Sequence, residues 1–186
     1  MLYLAIGCRS LLAAVFAVAV AGKLRNREAF AEFVRSIQRM AIVAPSLTRP
    51  AAIISVGAEI VVALLLVTPA PGPGAAGFAL AAGLLVVFTV VIVGSLRRGT
   101  TVPCRCFGRS EIPLGRRHVL RNALLVAVAA AGLLASLPGA AVDAGPAVVA
   151  TVTGGVLGAL VTVLDDIVYL VAPAPPDSGP RRDGAR

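Results

Sequence analysis

Apolar residues fill this chain in long runs, and most charged residues fall between the runs rather than inside them. A run of about 18 or more apolar residues is long enough to cross the hydrocarbon layer of a bilayer as a helix. Leu2 to Gly22 is the first such run, broken only by Arg9. Ala51 to Thr68 is the second, opened by Pro50, and Ala75 to Leu96 is the third. About Val119 to Leu137 is the fourth, and about Ala147 to Leu164 or a little beyond is the fifth. "PAPGPG" at 69–74 and "PGAAVDAGP" at 138–146 read as short turns, since Pro and Gly punctuate helices. The predicted fold is all-α: a polytopic transmembrane bundle with a four-helix domain over 1–137 and an additional transmembrane helix within 138–172. No soluble domain is expected.

One segment has a different pattern. In 23–40, Phe30, Phe33, Val34, Ile37 and Met40 recur at helical spacing with Arg and Glu between them. That pattern predicts an amphipathic helix lying at the membrane interface. The tail, 173–186, is rich in Pro, Asp and Arg and is predicted to be disordered. "AVAVAG" at 17–22 has the small-residue spacing of a signal-peptidase site. No basic region precedes the first run, however, and Arg9 falls where a signal's apolar region belongs, so a retained helix is expected.

Composition agrees with the pattern. The chain is 58% hydrophobic with a mean hydropathy of +0.93, well above the roughly 45–50% apolar share of soluble domains. The net charge of +8 does not point to nucleic acid, because the basic residues sit between the spans and not on one soluble face. Their distribution does predict sidedness. Lys23, Arg25, Arg27, Arg35, Arg39 and Arg49 follow the first span, and Arg97, Arg98, Arg105, Arg109, Arg116 and Arg117 follow the third. Arg181, Arg182 and Arg186 lie in the tail, while the turns at 69–74 and 138–146 have no basic residue. Cytoplasmic loops are the ones enriched in Lys and Arg. The expectation is a multi-pass protein of the cell membrane, with its N-terminus outside and its C-terminus and the 97–118 loop in the cytoplasm.

That loop carries the candidate chemistry, in "TVPCRCFGRS" at 101–110. Cys104 and Cys106 flank Arg105, with Arg109 nearby, and neighbouring positive charge favours the reactive thiolate. A disulfide across one intervening residue is tight and therefore labile. Two reduced loop cysteines with no function are the alternative on the residues alone. Three cysteines are too few for a disulfide framework or a four-ligand zinc site. His118 is the one further ligand nearby, so no metal and no cofactor is expected. Cys8 reads as a small packing residue. Glu59 lies mid-span, where a carboxylate is costly and marks either a functional site or a structural tie between helices. Lys23, at the end of span one, is expected to snorkel to the interface. Gly154 and Gly158 form a G-x-x-x-G pair that allows close helix approach, including a helix–helix oligomer. Asp165 and Asp166 read as an interfacial stop.

Four stretches together resemble a known family. "AVAGKLRNREAF", "AEIVVALLL", "LRRGTTVPCRCFG" and "RNALL" look like the MauE family of methylamine utilisation membrane proteins, related in architecture to DoxX-like four-helix bundles. The resemblance covers about residues 1–137, and its most specific part is the C-x-C-F-G sequence followed by Arg121 and Asn122. It implies a role in maturing the disulfide-rich small subunit of methylamine dehydrogenase, alongside a thioredoxin-like partner. It further implies that Cys104 and Cys106 are the redox pair of a thiol–disulfide oxidoreductase, with Arg105, Lys23 and Glu59 in support. Such a client matures outside the cytoplasm, whereas the charge count puts the loop inside. Three arrangements remain open: a loop that re-enters the bundle and relays electrons outward, electron exchange with a cytoplasmic thioredoxin, or a different client. The alternative function is a non-redox DoxX-like subunit that binds a quinone or scaffolds a complex.

Overall fold

The computed structural model describes residues 1–40, 43–68, 70–98, 116–136 and 143–171. Among these there are six α-helices, one short 3-10 turn and no strand. Helix α1 spans Leu2–Leu24, α2 Arg27–Arg39, α3 Thr48–Val67, α4 Pro71–Arg97, α5 Arg116–Ala135 and α6 Ala144–Val171. All but α2 are long and apolar enough to cross a membrane.

The helix boundaries follow from local chemistry. The amphipathic segment does not begin at residue 23, because Asn26 breaks the helix in extended conformation and caps α2. The Asn26 side chain accepts a hydrogen bond from the Ala29 amide at 2.7 Å, which supplies one of the amide partners a helix start lacks. Glu28 in the first turn and Arg39 in the last complement the helix dipole. The 69–74 turn is shorter than expected, since α4 already starts at Pro71. Proline suits that position, where its missing amide hydrogen has no intrahelical partner to lose. Helix α6 starts before Ala147 and runs to Val171, past the expected end a little beyond Leu164. Its backbone stays helical past Asp165 and Asp166, so the two acidic residues do not end the helix.

Chain directions can be read from specific neighbours. Leu66 near the end of α3 faces Gly77 near the start of α4, and Phe78 of α4 faces Gly132 near the end of α5. Arg9 of α1 meets the end of α3, whereas Lys23 meets Glu59 further back along it. Helices α1, α3, α4 and α5 therefore alternate in direction, with α1 packed on α3 and α5, and α4 packed on the same two. Helix α6 packs against α1 with both residue numbers rising together, Gly7 beside Gly154 and Leu11 beside Gly158, so these two are parallel.

A Cβ on Gly154 would collide with the Gly7 carbonyl, and one on Gly158 with that of Leu11. Only glycine allows this approach, which brings backbone against backbone where water gives no hydrophobic drive between helices. Gly154 and Gly158, the pair expected to allow a helix–helix oligomer, are both buried against α1 of the same chain.

The core is sealed by Leu12, Phe16, Val62, Phe78, Leu85 and their neighbours. The outer faces are no less apolar, with Ile54, Leu64, Val90, Leu124, Leu134 and Val149 all strongly exposed. Such a surface fits lipid, not water.

Helix α2 differs from expectation in what it covers. Its Phe33 packs with Ala52 and Val56 of α3, and Phe30, Val34 and Ile37 border that cluster. The apolar face of α2 packs on α3, with Phe33 buried and Phe30, Val34 and Ile37 half-buried.

Candidate functional site

Two charged residues meet inside the bundle. Lys23 of α1 donates a hydrogen bond from Nζ to Oε1 of Glu59 on α3, and the side chains are 2% and 0% exposed. The position of Lys23 explains the meeting. Helical side chains lean toward the N-terminus of their own helix, so the ammonium of a residue at the end of α1 drops back among the helices. The expectation that Lys23 snorkels outward is corrected. A charged partner and two aromatic rings draw it inward: its Nζ lies 4.7 Å from the centroid of Phe33 and 5.8 Å from that of Phe88. A ring face attracts a cation within about 6 Å, most strongly where water is excluded. Helices α1, α2, α3 and α4 all contribute to this cage.

The pair leaves polar capacity unused. Glu59 Oε2 is buried without a hydrogen-bond partner, and so is Ser55 Oγ one turn earlier on α3. Asn122 of α5 is 0% exposed, and neither its Nδ2 nor its Oδ1 has a partner. Ser95 of α4 and His118 of α5 are also buried, both near the helix ends that lead into the 99–115 connection. Cys8 is a buried free thiol packed in the core.

At the opposite end of the bundle Arg9 acts as a fastener. Its Nε donates to the Leu66 carbonyl at 3.0 Å and its guanidinium also reaches the Thr68 carbonyl. Carbonyls at a helix C-terminus lack intrahelical donors, and a cation there also meets the negative end of the dipole. Sequence reasoning treated Arg9 only as an interruption. Its cost within an apolar run was a usable signal, but nothing in the spacing named its partner. Asn122 belongs to the R-N motif in the sequence, and a polar amide within an apolar span is a signal of the same kind.

Of the sequence-predicted site residues, Lys23 and Glu59 are brought together. Cys104, Arg105 and Cys106 lie outside the described residues.

An apolar-surfaced bundle of membrane-crossing helices, with an ion pair enclosed among them, is a polytopic membrane protein. Its family is specific: residues 1–135 match the family described as Methylamine utilisation protein MauE. The chain belongs to that family and is a membrane protein related to methylamine utilisation. No curated protein and no solved structure matches it. Helix α6 lies beyond the matched residues.

Proposed function

We propose that the protein assists disulfide formation in a partner protein of methylamine utilisation, as a thiol–disulfide relay with Cys104 and Cys106 as the exchanging pair. The observation that carries this reading is the C-R-C-F-G sequence within the family-matched stretch. It is supported by charge, because the helix ends flanking the connection carry exposed Arg97, Arg98 and Arg117, and positive surroundings favour thiolate.

The chemistry balances through two exchanges. A client thiolate attacks the Cys104–Cys106 disulfide, forming a mixed disulfide and releasing one loop thiolate. The client's second thiolate attacks the mixed disulfide, leaving an oxidised client and two loop thiols. A disulfide in a thioredoxin-like partner then takes the two electrons and reoxidises the pair. Strained disulfides are the readily exchanged ones.

Alkylation trapping on non-reducing gels tests the reading. With one cysteine changed to Ser, the other should accumulate an adduct with a thioredoxin-like protein. With both changed, client disulfides should fail to form while the membrane protein stays folded. Normal client maturation in the double variant would remove the cysteines from the mechanism.

A second reading has its own support. The Lys23–Glu59 pair ties α1 to α3 without any cysteine, as a non-redox subunit that scaffolds a complex, or binds a quinone elsewhere on the bundle, would require. Full function without the cysteines, combined with loss of function in Glu59→Gln, is the result that would favour it.

A further inference from the structure

Four buried polar atoms without a partner come to about one level of the bundle by helix register. Cys8 of α1 faces Gly132 of α5, a Cβ on the glycine falling 2.9 Å from the Cys8 Cβ. These helices run in opposite directions, so eleven residues further along α1 Ala19 stands level with Arg121 and Asn122 of α5. Ala19 is one turn before Lys23 on the same face, and the Lys23 side chain leans back toward that level. Glu59 is placed at the same depth by its bond to Lys23, and Ser55 is one turn away on the same side of α3. Glu59 Oε2, Ser55 Oγ and both polar atoms of Asn122, all buried and without partners, therefore lie within about one helical turn of the same level.

A buried amide with neither its donor nor its acceptor satisfied is costly, and more so in a chain surrounded by lipid. The leftover atoms are of mixed kind: two acceptor oxygens, an NH2 donor and a hydroxyl that serves either way. We propose that this layer is an internal water site, in which at least one water molecule bridges Asn122 on α5 to Glu59 and Ser55 on α3. A buried water takes about three hydrogen bonds and needs two to four polar partners, which this group supplies. The guest must be small, because Lys23, Glu59 and Asn122 are enclosed with 2%, 0% and 0% exposure. Water in this layer would hydrate the free carboxylate oxygen of Glu59 and connect helices α3 and α5, which lie diagonally across the bundle. The inference does not depend on the cysteine chemistry.

The test uses the full chain in nanodiscs of synthetic phosphatidylcholine, where no other polar guest is present. X-ray radiolysis turns bound water into hydroxyl radicals that oxidise adjacent side chains, and mass spectrometry locates the product. Phe33 is only 4% exposed and borders the pair, so it reports internal water rather than bulk solvent. Oxidised Phe33 in the wild type, lost in Asn122→Leu and retained in Asn122→Ser, is the expected result. Asn122→Leu should also melt at least about 2–4 °C lower, because its amide was bonded to something outside the chain. No oxidation of Phe33 in the wild type, or unchanged oxidation in the leucine variant, would overturn the proposal. If Asn122→Leu does not fold, Asn122→Met, which likewise fills the space without a hydrogen-bonding amide, carries the same comparison.

Discussion

Lys23 and Glu59 stand in opposite chemical positions before and after folding: each is costly in lipid alone, and each is made tolerable by the other. Removing one partner of a buried pair leaves an uncompensated charge, typically at about 3–5 kcal/mol. Replacing both by apolar side chains of similar size is often neutral or better. Lys23→Met alone and Glu59→Leu alone should each lower the melting temperature strongly, with the double variant recovering most of the loss. Thermal unfolding in one detergent measures all four members of the cycle, and strictly additive losses would show that the two residues are not coupled. Activity separates structure from function. A double variant that is stable but inactive assigns the charges to the mechanism, whereas one that is stable and active makes the pair a tie between α1 and α3. Glu59 was legible from the sequence as an exceptional residue, because a carboxylate in the middle of an apolar run stands out whatever it bonds. Lys23 was misread, since a lysine at a span's end has two ways to lean and the sequence does not say what waits inside. The aromatic cage decides it, and Phe33 and Phe88 come from helices whose relative placement no local pattern specifies.

The helices themselves were largely readable, because apolar runs of membrane length admit few other structures. Their ends were less so, and both major differences have local causes: the Asn26 cap delays α2 and Pro71 advances α4. What covers an amphipathic face is a different question from its existence. The apolar stripe of α2 looked the same whether it met lipid or α3, and only the fold shows Phe33 against Ala52 and Val56. The glycine pair of α6 was equally ambiguous between a second chain and α1. Since a Cβ at Gly154 meets the Gly7 backbone, Gly154→Val should loosen α6 from α1 while leaving the other spans inserted. The Asp143 amide donates to the Tyr3 hydroxyl at 3.2 Å, so cysteines at positions 3 and 143, in a background lacking the other cysteines, should be joined by a short bis-maleimide. That crosslink should fall sharply when Gly154→Val is added. Undiminished crosslinking would mean that the glycines do not hold the two helices together.

At the scale of the whole molecule, charge is strongly polarised. Arg25, Arg27, Arg35, Arg39, Arg49, Arg97, Arg98 and Arg117 are exposed around one end of the bundle, and among the described residues the other end has Arg9, which is engaged with carbonyls. With cytoplasmic loops rich in basic residues, reporter fusions at 49, 110 and 180 should behave as cytoplasmic and fusions at 72 and 142 as exported. An exported signal at 110 would invert this arrangement and bring the cysteines to the outer side. The sequence predicts the side only through its count of basic residues, whereas the alternation of helix directions comes from packing. The parallel pairing of α1 with α6 has a consequence for how the protein is made. Among the described helices, α1 leaves the ribosome well before α6, the helix it packs against most extensively. Gly154 follows Gly7 by roughly 150 residues, which at roughly 5–20 residues per second corresponds to a delay on the order of ten seconds or more. Through that interval the Gly7 and Leu11 backbone of a newly inserted α1 faces lipid or the insertion machinery, and a nascent chain stalled before residue 144 carries an open seat for a foreign helix.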